Sequence, residues 1–375
     1  MQLGSLQKQP RGFSAFIPYP FPPKTGFNLS AKILQKAAQA TLALGKLDGI
    51  TQLLPDVDFF LFMYIRKDAT SSSQIEGTKA TMLEAIEAEA KSSDALPADV
   101  NDIQHYIHAL NYGLERLKEL PLTSRLICEL HRELMKDARC THFADPGNFR
   151  QSQNYIGGTS PGNAHFVPPP AHEVGRATAD LENFIHANDD LLPIIKAGII
   201  HAQFETIHPF LDGNGRTGRM LITLYLCLAN LLERPTLFLS WYFKKHQKVY
   251  YELLDNYRDA GLEKWLEFFL DGVIEVASEA IETVKKITVL REEDMYKIQT
   301  LDKKASSSAV KILPQLFKLP IVNVAIIQKW TGFTDRGAQK VIDRFIDLGI
   351  LKLKDENKKY GRSFIYHRYT DIFSN

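Results

Sequence analysis

Twelve consecutive residues, His208 to Arg219, read HPFLDGNGRTGR and gather side chains suited to phosphate chemistry. Their glycines fit G-x-G-x-x-G, the pattern of a dinucleotide-binding turn, and nearly fit a P-loop. The dinucleotide interpretation needs a strand before the glycines, whereas the preceding apolar residues recur every three or four positions, as in a helix. The P-loop interpretation needs Lys-Ser or Lys-Thr after Gly218, where Arg219-Met220 stands instead. Neither interpretation accounts for the stretch.

A third interpretation uses the polar residues of the stretch together. The Asp-Gly-Asn-Gly turn permits positive backbone angles, so successive N–H groups can form an anion nest at the start of the next helix. Arg216 and Arg219 are three residues apart and can face one anion. Asp212 is a hard carboxylate suited to Mg²⁺, and the His208 imidazole, with an ordinary pKa of about 6.5, suits a general base. The set predicts phosphoryl or nucleotidyl transfer.

The stretch resembles, without a gap, the active-site signature of Fic-domain proteins. The resemblance implies adenylylation, in which AMP passes from ATP to a Ser, Thr or Tyr hydroxyl of a protein target, or of the chain itself, and pyrophosphate is released. It also implies a role for each residue: His208 as base, Asp212 as Mg²⁺ ligand, Gly213, Asn214 and Gly215 as cradle for the α- and β-phosphates, Arg216 as phosphate ligand and Arg219 as γ-phosphate clamp. The simpler alternative is a glycine-rich turn with surface arginines.

A second motif, Ser72-x-x-x-Glu76-Gly77, lies far upstream in TSSSQIEGT. By itself it indicates a short helix that stops at a glycine. Beside a phosphate site it resembles the inhibitory motif of Fic proteins, whose glutamate pairs with the second arginine of the signature. The resemblance implies that Glu76 pairs with Arg219 and, as a phosphate mimic, blocks productive ATP binding. A glutamate in this place could also position water for removal of AMP, so a de-adenylylase is the first alternative.

Segment 152–167 combines two β-capable pieces, SQNYIGG and AHFVPP, around TSPGN and predicts a hairpin. It resembles the flap of Fic proteins, against which an extended target segment could pair. A surface loop is the alternative. The flap residues singled out on its first arm are Tyr155, Ile156, Gly157 and Gly158.

Two residues near the signature, Gln203 and Tyr250, have two interpretations each. Gln203, in QFETIHPF, resembles a family residue that reaches ATP, or else lies on an exposed polar face. Tyr250, in HQKVYYELL, resembles an adenine-stacking aromatic, or else packs in the core. His201 lies seven residues before His208 and is expected to be a satisfied core histidine.

The elements that position these residues are predicted to be mostly α. Helical periodicity starts near residue 30 and persists for most of the next 270 residues. The expected fold is a Fic helical bundle with a β-hairpin flap, followed by a winged helix-turn-helix. We divide it into 1–117, an N-terminal arm and helical region with the inhibitory helix, 118–300, the Fic catalytic core, and 301–375, the winged helix. Residues 1–27 are expected to form an extended arm and 302–308 a linker.

The last 69 residues carry twelve Lys/Arg and six Asp/Glu, a formal +6 in a chain of net +1. Their order, helix-turn-helix and then strand-turn-strand, is typical of a winged helix. A basic stripe, with further basic residues in the wing, could contact DNA phosphates, although three aspartates dilute it. Packing or protein contact is the alternative. The residues are Arg336, Lys340 and Arg344 in the stripe, Lys358, Lys359 and Arg362 in the wing, and Asp335, Asp343 and Asp347.

Composition limits the remaining possibilities. The three cysteines show no metal-binding spacing, which favours reduced thiols and a cytoplasmic setting. No apolar run has the length of a signal peptide or a membrane span, so we expect no membrane partner. A nucleotide-sensing DNA-binding regulator is the second alternative function. A homodimer that helps hold the Glu76 helix is conceivable.

Overall fold

A computed structural model describes residues 2–52, 54, 56–91, 96–136, 145–355 and 361–373. Within these residues the helices are α1 (Ala31–Gln52), α2 (Asp58–Ile75), α3 (Met82–Lys91), α4 (Ala98–Arg116), α5 (Ser124–Leu134), α6 (Ala171–His186), α7 (Pro193–Ile207), α8 (Asn214–Leu228), α9 (Ser240–Lys245), α10 (Gln247–Arg258), α11 (Leu262–Gln299), α12 (Lys303–Lys318), α13 (Val324–Thr331), α14 (Asp335–Asp347) and α15 (His367–Asp371). The strands are β1 (Gly4–Lys8), β2 (Ser14–Pro18), β3 (Ile321–Val322), β4 (Lys352–Leu353) and β5 (Phe364–Ile365). The prediction of a mostly helical protein is confirmed.

The centre of the bundle is α7. It begins at Pro193, whose fixed φ and missing N–H suit the first turn of a helix. Every residue from Ile194 to Ile207 is buried, because α6, α8, α10 and α11 pack around the helix. A helix surrounded on all sides can be apolar on all sides. The residues that follow α7 are therefore held by a rigid support.

The N-terminal segment differs from the expected extended arm. β1 and β2 form an antiparallel hairpin, with Gly4 opposite Pro18 and Lys8 opposite Ser14. The Phe16 amide of β2 also donates to the Val167 carbonyl at 2.9 Å. The chain folds back because strand pairing satisfies main-chain groups that a single extended arm would leave to water. The hairpin thus adjoins the second arm of segment 152–167.

The expected linker at 302–308 is helical instead. α12 begins at Lys303, and the Ala305 amide donates to Asp302 Oδ1 at 3.1 Å. Aspartate is a favoured N-cap residue, so DKKASSS starts a helix and does not separate two units by a loose chain.

The C-terminal elements follow in the order α13, α14, β4 and β5, with a turn at Gly332, whose φ is 70°. β5 lies between β3 and β4 and pairs antiparallel with both. Lys358 and Lys359 lie outside the described residues. The assignment of this region to a winged helix-turn-helix stays a prediction.

The C-terminal region packs on α2. The Phe59 ring stacks on Phe317 with centroids 4.9 Å apart, and the Tyr369 hydroxyl donates to the Phe59 carbonyl. Asp294 of α11 accepts hydrogen bonds from the Tyr366 hydroxyl at 2.7 Å and from Arg368 Nη1 at 2.8 Å. Hence aromatic stacking and a buried carboxylate join α2, α11 and the C-terminus. None of the helices described above combines the length and apolarity needed to cross a membrane.

Candidate functional site

The HPFLDGNGRTGR stretch forms a helix-loop-helix. His208 ends α7 in the left-handed region, at φ 49° and ψ 60°. Gly213, at φ 77°, precedes the first residue of α8. A Cβ at Gly213 would lie 2.8 Å from the Met135 sulfur, so this position needs glycine for space as well as for conformation. The first N–H groups of α8 therefore point into the loop, as an anion nest requires.

Two side chains hold this loop from within. Asn214 Oδ1 accepts from the Phe210 amide and Asn214 Nδ2 donates to the Phe210 carbonyl, both at 2.8 Å. His131 Nε2 donates to the Asp212 carbonyl at 2.9 Å and Nδ1 accepts from the Gly147 amide at 2.9 Å. Burial lowers the pKa of His131 to about 4, so the ring is neutral. The Asn214 side chain is thus committed to the loop, and only its main-chain N–H can serve a phosphate.

A buried arginine fixes the base of the flap to the same loop. Arg150 Nε donates to the His208 carbonyl at 2.9 Å, and Arg150 Nη1 donates to the Ser152 carbonyl at 3.2 Å. Asn154 Nδ2 donates to the carbonyls of His208 at 3.2 Å and Phe210 at 2.9 Å. The left-handed turn at His208 is thereby held from its carbonyl side. No local sequence pattern indicates Arg150 or His131, because both contact the loop across long sequence separations.

Glu76 and Arg219 form an ion pair at the start of α8. Glu76 Oε1 accepts from Arg219 Nη2 at 2.7 Å, and the same guanidinium donates to the Ser72 hydroxyl at 2.8 Å and the Ser72 carbonyl at 3.0 Å. A Cβ at Gly215 would overlap Glu76 Oε1. Burial opposes the charge on Arg219, but the Glu76 carboxylate outweighs it and raises the pKa of the guanidinium. The carboxylate therefore occupies the anion position of the helix N-terminus.

The end of α2 explains the spacing of the upstream motif. The Gly77 amide donates to the Gln74 carbonyl and the Thr78 amide to the Ser73 carbonyl, each at 3.1 Å. Gly77 lies at φ 95°. This is a Schellman ending, in which glycine terminates the helix. Glu76 is consequently the last residue before the glycine turn. Its carboxylate contacts Arg219 from this position.

Arg216 and Asp212 flank the nest. Arg216 is buried; its Nη2 lies 3.4 Å from the Met135 sulfur and 4.0 Å from Asp212 Oδ2. Its Nε has no hydrogen-bond partner within the described residues. A buried N–H without a partner is costly, which favours an anion at this position. Asp212 Oδ1 accepts from the Gly213 amide at 2.6 Å, and 49% of its side chain remains exposed.

The environment of His208 makes it a weaker base than its sequence context suggested. Burial, followed by the charges of Arg258 and Arg150, lowers its pKa to about 3. The imidazole is therefore neutral at physiological pH and able to accept a proton. It gives up that proton more readily than an imidazole of ordinary pKa.

Segment 152–167, the candidate flap, is a hairpin with a single antiparallel bridge, between Ile156 and Phe166. Gly157 and Gly158 both have positive φ, at 68° and 72°. Two successive glycines in this conformation bend the first arm away from the second after one bridge. The two predicted strands therefore do not form a longer ladder. Tyr155 is exposed and its hydroxyl donates to the Thr159 carbonyl at 3.0 Å.

Two predicted ATP contacts lie in the core instead. Gln203 is 1% exposed and accepts from the Tyr257 hydroxyl at 3.3 Å. Tyr250 is also 1% exposed; its hydroxyl donates to His201 Nε2 at 2.8 Å and its ring stacks on Phe243. Both side chains are buried because α7 is covered on every side and α10 packs against it, and their contact with ATP stays a prediction. His201 is a satisfied core histidine: its Nδ1 donates to the Gly218 carbonyl at 2.9 Å, and burial lowers its pKa to about 3.

The neighbouring residue Tyr251 has an exposed ring at the edge of the site. Partial burial raises the pKa of the Tyr251 phenol, and the Glu76 carboxylate raises it further. The aromatic segment HQKVYYELL thus lies within electrostatic reach of Glu76, and its contact with adenine stays a prediction. The helical phase of α10, which a sequence does not fix to one residue, directs Tyr250 inward and Tyr251 outward.

Comparison with known proteins identifies the family. The sequence profile of the Fic/DOC family matches residues 121–226, and that of the Fic/DOC family N-terminal region matches residues 34–115. Together the two matches cover about half of the chain. The chain belongs to the Fic/DOC family.

Curated relatives include the protein adenylyltransferase Fic of Drosophila grimshawi, 26% identical over 200 residues, which are 52% of this chain and 37% of that protein. A probable protein adenylyltransferase of Aquifex aeolicus (strain VF5) is 29% identical over 192 residues, 50% of this chain and 54% of that protein. The chain thus spans about a third to half of the length of these relatives.

Solved structures share the fold. A Fic family protein from Desulfovibrio desulfuricans G20 matches with a TM-score of 0.58 at 19% identity, over 91% of this chain and 97% of that chain. A Fic domain containing signaling protein from Bacteroides thetaiotaomicron matches with a TM-score of 0.54 at 20% identity, over 66% of this chain and 97% of that chain. At these identities the likeness concerns the fold alone.

Proposed function

We propose that this chain is a protein adenylyltransferase held inactive by its own Glu76. The observation that carries the proposal is the Glu76 carboxylate at the N-terminus of α8, bonded to Arg219 and in contact with Gly215. A carboxylate there takes the place of a phosphate. The family's curated relatives are named protein adenylyltransferases, which supports ATP and a hydroxyl-bearing protein as substrates. The cytoplasmic setting stays a prediction.

The proposed reaction assigns one task to each group. ATP displaces Glu76, and its phosphates bind the α8 N-terminus, Arg216 and Arg219. His208 accepts the proton of the target hydroxyl while that oxygen bonds to the α-phosphorus. The bond from the α-phosphorus to the bridging oxygen breaks, and pyrophosphate leaves. The flap would hold the target segment so that the hydroxyl reaches His208.

Asp212 is the proposed Mg²⁺ ligand. Its half-exposed carboxylate fits an ion that takes one or two carboxylates from the protein and its other ligands from phosphates and water. Within the described residues no group of three or more His, Cys, Asp or Glu could hold a metal by itself. The donor set therefore fits Mg²⁺ that arrives with ATP. Bound Mg²⁺ would neutralise phosphate charge.

Substitution of Glu76 tests the proposal. Glu76→Gly should raise the transfer of label from α-labelled ATP to the chain or a target by tenfold or more (order of magnitude), because Arg219 is freed for phosphate. His208→Ala in the Glu76→Gly chain should abolish labelling, because no base remains. Glu282→Gln, on the exposed face of α11, is the matched carboxylate control and should behave as wild type.

The same experiment separates the de-adenylylase alternative. If Glu76→Gly binds ATP yet transfers nothing, and the wild type releases AMP from adenylylated protein, the proposed direction is wrong. Glu76 would then position water. Mass spectrometry of the modified protein would identify the nucleotide, the residue and the target.

A second candidate, DNA binding, rests on α14. Arg336 and Lys340 are exposed, while Ala338, Val341 and Ile342 on the opposite face are buried. The exposed stripe fits phosphate contact. A gel shift that weakens with salt and persists in His208→Ala would support it; absence of any shift at low salt would reject it.

A further inference from the structure

The carboxylate of Glu205 has no assigned role and lies beside the proposed base. Glu205 is on α7, three residues before His208, and its Oε2 is 3.7 Å from His208 Nδ1. The side chain is buried. Within the described residues, neither Glu205 Oε1 nor His208 Nδ1 has a hydrogen-bond partner. The unpartnered Nδ1 atom of His208 therefore faces Oε2 of a buried carboxylate whose other oxygen, Oε1, lies toward Gly218.

The packing of α8 against α7 leaves room for this carboxylate. A Cβ at Gly218 would lie 2.5 Å from Glu205 Oε1. Any larger residue at this position would displace the carboxylate or separate the helices. Gly218 is the last glycine of G-x-G-x-x-G, so the third glycine here serves a carboxylate pocket and not a dinucleotide turn.

A neutral imidazole has one N–H, and its position decides which nitrogen can act as a base. If Nδ1 carries the proton, Nε2 is free to accept one from a substrate. A group that accepts from Nδ1–H selects this tautomer, as the aspartate of a catalytic triad does. Catalytic hydrogen bonds are often long without substrate and shorten in the reacting complex, so 3.7 Å is within reach of such a contact.

We propose that Glu205 is a positioning residue that accepts the His208 Nδ1–H, keeps Nε2 free as the base, and stabilises the imidazolium that forms when Nε2 takes the substrate proton. The proposal rests on the adenylyl transfer proposed above. The proton moves from the target oxygen to Nε2, and Glu205 remains an acceptor throughout. The main-chain carbonyl of Glu205, which also faces the imidazole, is the competing acceptor.

The surroundings of the carboxylate predict a pH dependence. Burial raises its pKa to about 7; the Arg219 and Arg258 charges oppose the rise and the Glu76 charge adds to it. The groups that face it come from α8, α10, the end of α2 and α7 itself: Arg219, Arg258, Tyr250, Tyr251, Glu76 and His208. Below this pKa Glu205 is protonated, and its neutral carboxyl group is a weaker acceptor for the His208 Nδ1–H than the carboxylate is. Transfer by Glu76→Gly should therefore fall on the acid side of about pH 7, with the midpoint lowered because the Glu76 charge is gone.

The kinetic test is Glu205→Gln in the Glu76→Gly chain. We expect kcat to fall about a hundredfold, KM for ATP to stay unchanged, and the acid limb of the pH profile to disappear. Glu205→Asp should retain the acid limb, because it keeps a carboxylate. An unchanged kcat and pH profile in Glu205→Gln would assign the orientation of His208 to the main-chain carbonyl and overturn the proposal.

A stability measurement separates positioning from structural support. The pKa of Glu205 is raised above its ordinary value, so folding is favoured at low pH and loses that contribution as pH rises through about 7. Glu205→Gln should therefore raise the Tm at about pH 8, with a smaller difference at about pH 5. A lower Tm at both pH values would indicate a structural role and contradict the proposal.

A spectroscopic test needs no enzymatic activity. In wild-type chain labelled with ¹⁵N-histidine, with the His208 signal assigned by His208→Ala, the Nδ1–H tautomer should predominate. Glu205→Gln should produce a tautomer mixture or the Nε2–H form. If the tautomer changes as expected while no variant transfers AMP, the proposed function fails and the positioning stands; an unchanged tautomer rejects the positioning itself.

Discussion

At the scale of single residues, the site is shaped by the absence of side chains as much as by their presence. Gly213, Gly215 and Gly218 follow one another around the start of α8, and each leaves space for a different group: the Met135 sulfur, the Glu76 carboxylate and the Glu205 carboxylate. The three glycines therefore have separate functions. Substitution of each should give a different defect.

Gly215→Ala is expected to break the Glu76 contact without activating the chain. Its Cβ would overlap Glu76 Oε1 and lie 3.0 Å from Arg219 Nη1, so it excludes the carboxylate and a phosphate alike. Labelling from ATP should stay at the wild-type level, and calorimetry should show weakened ATP binding in the Glu76→Gly chain. Gly45→Ala, on α1 with open space around it, is the control. A rise in labelling to the Glu76→Gly level would show that phosphate does not approach Gly215.

The sequence predicted the residues of one short segment and, through the family resemblance, the Glu76–Arg219 pair, but it missed other residues that act across the chain. His208, Asp212 and the two arginines lie within twelve residues, so turn chemistry and helical spacing place them together. His131 and Arg150 reach the loop from distant elements, and no local pattern encodes such contacts. Gln203 is buried and does not lie on the exposed polar face of the alternative, because helical periodicity fixes relative faces and not which face is solvated; its contact with ATP stays a prediction. The mostly helical fold was predictable, since periodicity spans nearly every helix.

At the scale of elements, the C-terminal end of α2 sets the position of Glu76. Its last turn is also held from α9 and α10: Lys244 Nζ donates to the Gln74 side-chain Oε1 at 2.5 Å, and Gln247 Nε2 donates to the Ile75 main-chain carbonyl at 3.1 Å. The helix end is thus fixed both by its own glycine turn and by its neighbours. Loss of either support should weaken the Glu76–Arg219 ion pair without abolishing it.

Gly77→Ala is expected to activate the chain partially. A Cβ at Gly77 meets nothing within 4 Å, so the cost is purely conformational, about 1 kcal/mol for a non-glycine residue in the left-handed region. Transfer from ATP should rise above wild type and remain below Glu76→Gly. Gly49→Ala, in open space on α1, is the control for added side-chain volume. A lowered Tm with unchanged transfer would show that the turn supports the fold but not the position of Glu76.

At the scale of the whole molecule, the C-terminus is joined to the bundle through a buried charge. The Asp294 side chain is 0% exposed and also accepts from Lys297 Nζ at 2.8 Å. With the Tyr366 and Arg368 bonds it forms the polar centre of this interface, beside the aromatic stack of Phe59 and Phe317. The C-terminal region and the helix that carries Glu76 thus share one packed surface.

Asp294→Asn is expected to weaken this interface by about 2 kcal/mol. The amide removes the negative charge that accepts hydrogen bonds from the buried Tyr366 hydroxyl and the partly exposed Arg368 guanidinium. The Tm should fall, and limited proteolysis should release a C-terminal fragment sooner than in wild type. Glu292→Gln, whose side chain is exposed on the same helix, is the control. An unchanged Tm and digestion pattern would show that apolar packing alone holds the C-terminus.

The Glu76–Arg219 pair joins two parts of one chain, so the proposed inhibitory carboxylate is tethered to its own site and has an effective concentration set by chain geometry. Dilution cannot release it. Specific activity of the wild type should therefore be the same at nanomolar and micromolar protein. If α2 were instead held by a second subunit, dilution below the dimer Kd would raise the activity per molecule. A dilution series thus distinguishes inhibition within one chain from inhibition between two.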